Sequence, residues 1–174
     1  MKRITFIILL FLCFEVDSFA QKIGGFGGEL SVLGAKVNYR DWVSKKTGFE
    51  FFGGVSAELD DVKPNDFEAG FKFLHALIYT RTDRTYFGIV GKYKWVNLPD
   101  ENARTSLPVP GFIIGKEWYS KRVHRKGFAI ELGYQFGTKE YTILSPENHS
   151  YIGKDTFNEF PLILNIRYSF YSKR

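Results

Sequence analysis

Along most of this chain, apolar and polar side chains alternate with a period of two. From Gly127 to Gly137, Phe128, Ile130, Leu132, Tyr134 and Phe136 share one face, against Ala129, Glu131, Gly133 and Gln135 on the other. Near the C-terminus, Leu162, Leu164, Ile166, Tyr168 and Phe170 alternate with Ile163, Asn165, Arg167 and Ser169. Earlier, Phe49, Phe51, Gly53, Val55, Ala57 and Leu59 oppose Glu50, Phe52, Gly54, Ser56 and Glu58. Phe67, Ala69, Phe71, Phe73, Leu77 and Tyr79 oppose Glu68, Gly70, Lys72, Leu74, Ala76 and Thr80. Phe87, Ile89, Gly91, Tyr93 and Trp95 oppose Tyr86, Gly88, Val90, Lys92 and Lys94. Strict alternation over this length predicts β-strands with one apolar and one polar face.

Three weaker segments complete the pattern. Glu29 to Tyr39 changes phase near Val32-Leu33, which reads as a bulge beside Gly34. Phe112 to Tyr119 is ambiguous, because Lys116 and Glu117 fall on opposite faces, and Lys139 to Leu144 is short. Turn residues separate the segments at 60–66, 82–84, 99–102 and 145–148. Aromatic residues make up 18% of the chain, and no segment after residue 20 shows a helical apolar stripe, so sheet propensity agrees with the pattern. The expected fold is one all-β antiparallel, up-and-down domain of about eight strands.

The polar face decides what the strands enclose. It mixes Gly54, Gly70, Gly88, Gly133, Ala129 and Ser56 with the charges Glu50, Glu58, Lys72, Lys92, Lys94, Glu131 and Arg167. Small residues between opposite charges suit the narrow interior of an eight-stranded barrel, where the charges pair with one another. A transmembrane β-barrel shows its apolar face to lipid in this way. A soluble lipocalin-like barrel, the main alternative, would turn the aromatic face inward around an apolar small molecule.

The final strand carries a further signal. Leu164, Ile166, Tyr168 and Phe170 place alternating apolar and aromatic residues near the C-terminus, followed by Tyr171-Ser172-Lys173-Arg174. In this, and in glycine-bearing strands such as Gly127 to Tyr134, the chain resembles the small outer-membrane β-barrel proteins of Gram-negative bacteria. The resemblance implies an outer-membrane location and contact with membrane lipid and lipopolysaccharide. It also implies recognition of the last strand by the barrel-assembly machinery. Trp95, Trp118, Tyr119, Tyr79 and Tyr168 then belong to the aromatic girdles at the membrane surfaces. A filled lumen excludes a wide pore and leaves a structural or surface-interaction role, whose loop partner the sequence does not name.

The N-terminus fits this location. Lys2 and Arg3, the apolar run Ile4 to Phe14, and Ser18-Phe19-Ala20 have the layout of a secretory signal peptide cut after residue 20, leaving 21–174 as one domain. The single cysteine, Cys13, lies in the signal behind Phe11-Leu12, where a lipidated cysteine would require small residues. Removing Lys2, Arg3, Glu15 and Asp17 from the totals of 24 basic and 19 acidic residues leaves 22 and 17, an excess too small for a nucleic-acid binder.

Candidate chemistry is sparse. His75, His124 and His149 have no metal-ligand spacing, so no metal or cofactor is expected. Glu147, His149 and Ser150 are the one cluster with hydrolase residue types, and a third reading makes the chain an envelope-lipid-modifying enzyme. Adjacent residues on one loop do not supply triad geometry, so no catalytic role is expected. Asn148-His149-Ser150 matches a glycosylation acceptor only by pattern. The run Gly24 to Gly28 lacks the ending of a phosphate-binding loop and reads as a flexible lead-in to the first strand. The basic run containing Lys121, Arg122, Arg125 and Lys126 is a candidate for contact with anionic headgroups or lipopolysaccharide phosphate. One problem of parity stands: if Lys139 to Leu144 is a barrel strand, Asn97 to Pro108 becomes a long connection on the side where turns are short.

Overall fold

A computed structural model of the chain describes residues 23–32, 34–56, 66–97, 104–120, 126–144, 151–158 and 160–173. Ten strands follow in order: β1 (Ile23–Ser31), β2 (Gly34–Trp42), β3 (Thr47–Ser56), β4 (Asp66–Tyr79), β5 (Asp83–Asn97), β6 (Arg104–Tyr119), β7 (Lys126–Gln135), β8 (Thr138–Leu144), β9 (Tyr151–Asn158) and β10 (Leu162–Lys173). Eight of them close an antiparallel up-and-down barrel in the order β1-β10-β7-β6-β5-β4-β3-β2, and β8 and β9 pair only with each other. The expected fold class is the observed one.

The strand count agrees with expectation through two compensating differences. Glu29 to Tyr39 is two strands, not one bulged strand. Ser31 pairs with Gly34 across a two-residue turn, and the phase change at Val32-Leu33 is the hairpin itself. Gly24 to Gly28 lie inside β1, paired to both β10 and β2, rather than in a flexible lead-in. Conversely, residues 139–144 are not a barrel strand, since β8 forms a hairpin with β9 inserted between β7 and β10. That insertion removes the parity problem. The connection around Asn97 also shortens to 98–103, because β5 and β6 pair as far as Asn97 and Arg104.

The two ends of the barrel differ. The first and last described residues lie at one end, the termini end, where Ile23 pairs with Lys173 and where β2–β3, β4–β5 and β6–β7 connect. Local hydrogen bonds tighten these turns: Ser44 Oγ accepts from the Thr47 N–H at 2.9 Å, and Thr80 Oγ1 accepts from the Asp83 N–H at 3.0 Å. The opposite end carries the connections 32–33, 57–65 and 98–103 and the β8–β9 hairpin. There β6 outruns β7, whose pairing stops at Gly111↔Gln135. Pro108 and Pro110 sit in the overhang. The Pro110 carbonyl accepts from the Phe136 N–H at 2.8 Å, so its donorless nitrogen faces the β7 side and no β5 ladder bond is lost.

Closure is staggered. Followed from Glu29 through β2, β3, β4 and β5, the pairing reaches Leu107 on β6; followed through β10 and β7, it reaches Glu117, ten positions away. Such a shear tilts the strands and sets the width of the lumen. Large inward side chains fill that width opposite inward glycines. A Cβ on Gly48 would lie 2.6 Å from the Trp42 ring, on Gly115 2.6 Å from the Tyr86 ring, and on Gly127 2.6 Å from the Tyr171 ring. The interior glycines are therefore the hollows into which the aromatic residues pack.

Candidate functional site in the barrel interior

The inward face of the wall is ionic. At mid-barrel the Lys72 ammonium lies 2.7 Å from Glu29, 2.8 Å from Glu50 and 2.6 Å from Glu131. Arg40 donates from Nε to Glu50 at 2.5 Å, from Nη1 to the Tyr86 hydroxyl at 2.8 Å, and from Nη2 to Glu131. Tyr86 donates in turn to Glu131 at 2.6 Å, and Asn165 donates to the same carboxylate at 3.2 Å. All of these side chains are buried. Their charges are stable there only because each carboxylate meets several donors, since a lone buried charge costs several kcal/mol or more.

A second cluster closes the end that carries the termini. Glu117 accepts from Arg167 and the Tyr171 hydroxyl on one oxygen, and from Tyr119 at 2.7 Å and Trp42 Nε1 at 3.2 Å on the other. Arg167 also donates to Ser169 and Tyr171 at 2.9 Å each. Arg84 is held by rings rather than by carboxylates, 3.8 Å from the Trp42 ring and 4.7 Å from the Tyr79 ring.

The opposite end is looser. Lys36 reaches Glu68 at 2.6 Å across Gly54, and Lys92 reaches the other Glu68 oxygen at 2.7 Å. Lys94 pairs with Asp66 at 3.2 Å. A small open cleft begins here, lined in part by Ser31, Lys36, Ser56, Glu68, Lys92 and Asn165.

Of the residues singled out from sequence, Glu50, Lys72, Lys92, Lys94, Glu131 and Arg167 all lie buried inside the barrel, while Glu58 lies outside the described residues. Sequence reasoning missed Glu29 and Lys36 because two strands read as one, and Arg40 because β2 runs past the end of that segment. It missed Glu117 because the phase of β6 was ambiguous. Lys116 resolves that phase: it points outward and lays its ammonium 5.6 Å from the Trp118 ring. Glu68 shared the phase of Lys72 and could have been found from it.

On the outer face, Leu164, Ile166, Tyr168 and Phe170 are exposed along β10. Trp95, Trp118, Tyr79 and Tyr168 are exposed as well. Tyr119 is not a girdle residue; it is buried and turned inward to Glu117. Lys126 is exposed at the start of β7, and Lys121, Arg122 and Arg125 lie outside the described residues, as do residues 1–22, His124, Glu147, His149 and Ser150. His75 is half-buried on the outward phase of β4. Glu29, Glu50 and Glu131 bring carboxylate oxygens within 4.8 Å of one another, a spacing that could hold a metal ion. The Lys72 ammonium occupies that position and supplies the positive charge itself.

No family profile and no curated protein matches this chain. Among solved structures, the chain is similar to the N-terminal β-barrel domain of OprF from Pseudomonas aeruginosa. The fold is shared. The TM-score is 0.51 at 9% identity, over 87% of this chain and 96% of that one. At that identity the likeness is one of β-barrel architecture alone.

Proposed function

We propose that residues 21–174 form an outer-membrane β-barrel protein, exported by the segment 1–20, whose lumen is filled by its own side chains. The observation that carries this reading is the outer surface. Phe26, Phe51, Phe71, Ile89, Leu132 and Ile166, from six different strands, are all exposed, while the same strands bury carboxylates and cations inside. An apolar patch on a soluble monomer rarely exceeds a few hundred Å². A belt around a whole barrel is the surface that hydrocarbon solvates, and a closed wall leaves no backbone polar group unpaired there. A soluble lipocalin-like barrel would have the two faces reversed.

The end with both termini and short turns corresponds to the periplasmic side of such barrels, and the end with longer connections to the outside. The role is structural or one of surface interaction through the connections of the outer end, without a wide pore. No catalytic role is assigned. Leu164, Ile166, Tyr168 and Phe170 face outward on the last strand, where the assembly machinery would read them before β10 closes on β1. The test is membrane fractionation followed by gel mobility with and without boiling. Recovery in the outer membrane with a heat-shifted band is the expected result; a soluble protein sinks the reading.

A further inference from the structure

We infer that the barrel end carrying the termini selects anionic phospholipid headgroups, through a ring of exposed basic side chains just beyond the apolar belt. This rests on the membrane reading above and adds which lipid the protein gathers, and in which leaflet.

The three hairpins that turn at that end, β2–β3, β4–β5 and β6–β7, each contribute. Lys45 and Lys46 are exposed in the β2–β3 turn, Arg81 is exposed in the β4–β5 turn, and Lys126 is exposed where β7 begins. Lys116 points outward on β6 with its ammonium over Trp118. Of the acidic residues described at this end, Asp41 and Asp83 are half-buried, and Glu117 is buried inside the barrel against Arg167. Trp118, Tyr79 and Tyr168 stand outward beside the basic ring, at the depth where aromatic side chains meet headgroups. The connections of the other end have the opposite character: 57–65 and 98–103 hold Glu58, Asp60, Asp61, Asp100 and Glu101 against Lys63 alone.

A ring of cations level with a membrane surface attracts negative lipid, and Lys and Arg make charge-assisted hydrogen bonds to a phosphodiester. A zwitterionic headgroup brings its own cation and gains less. The position assigns the contact to phospholipid of the termini-side leaflet, not to lipopolysaccharide at the far end.

The tryptophans report on the two ends separately. Trp118 is exposed beside the basic ring, Trp95 is exposed toward the opposite end, and Trp42 is buried inside. The mature chain is folded into equimolar phosphatidylglycerol and phosphatidylcholine vesicles in which one or the other lipid carries brominated acyl chains. In a Trp95→Phe variant, brominated phosphatidylglycerol is expected to quench Trp118 more than brominated phosphatidylcholine, by about twofold. Combined replacement by Gln at Lys45, Lys46, Arg81, Lys116 and Lys126 should bring the ratio to about one. A Trp118→Phe variant should show no preference at Trp95. Equal quenching of Trp118 by both lipids, a preference unchanged by the replacements, or a preference at Trp95 instead would overturn the inference. Heat-shifted mobility of each sample separates the two claims: a folded barrel without lipid preference refutes the selection alone, and no barrel refutes the membrane reading with it.

Discussion

The two faces of the barrel wall obey opposite rules, and β10 shows both within a few residues. Inward, Asn165, Arg167 and Ser169 are buried among charged partners; outward, Leu164, Ile166, Tyr168 and Phe170 are exposed. Inside, each position is fixed by a specific neighbour, such as the Arg167 contact to Glu117 or the Tyr86 ring over Gly115. Outside, these residues meet only apolar neighbours on the same face, as Tyr168 meets Phe170 with ring centroids 5.2 Å apart, and apolar character matters more than exact shape. The inner face is therefore sensitive to small changes of shape and pairing. The outer face tolerates apolar exchange and rejects charge.

The largest expected effect lies inside. Replacing Glu117 by Ala leaves Arg167, Trp42, Tyr119 and Tyr171 without their shared acceptor and should cost about 3–5 kcal/mol, read as a lower urea midpoint of the refolded barrel. Gln at the same position keeps the shape and should cost less. Next comes the outer face: Ile166→Arg places a charge on the exposed side of β10 and should cost about 2–4 kcal/mol in vesicles near mid-depth. Ile166→Leu should be nearly silent, which an inward position of similar size would not be. Gly115→Val drives a branched side chain into the Tyr86 ring and should cost about 1–3 kcal/mol by overpacking. The smallest effect is expected at Lys126→Gln, an exposed turn-side position, within about 0.5 kcal/mol. A reversal of this order, with Ile166→Leu costing more than Gly115→Val, would show that the outer face is packed and not solvated by lipid.

Much of this contrast was legible in the sequence, because a period of two commits each residue to one face. Glu50, Lys72, Glu131 and Arg167 could be placed on one face with their neighbours before any pairing was known. What the alternation lacks is cross-strand geometry. Lys36 and Glu68 belong to different strands and meet across β3, where both pair with Gly54. Arg40 lies one residue past Glu29 to Tyr39, the segment that reads as a single strand, and the phase change at Val32-Leu33 looks the same for a bulge and for a two-residue hairpin. Glu117 was hidden by Lys116, a lysine beside an outward tryptophan. Lys139 to Leu144 reads as a short strand, and only its pairing with Tyr151–Asn158 shows that it lies outside the barrel wall.

The most direct test of the account uses the absence of cysteine after residue 20. Single cysteines at 164 through 170 on β10, spin-labelled in the folded barrel in vesicles, report the environment of each position in turn. The account predicts that labels at 164, 166, 168 and 170 collide with oxygen dissolved in the membrane, and that labels at 165, 167 and 169 are shielded from it. Shielded labels at the even positions, or collisions there with a water-soluble relaxation agent, would contradict it.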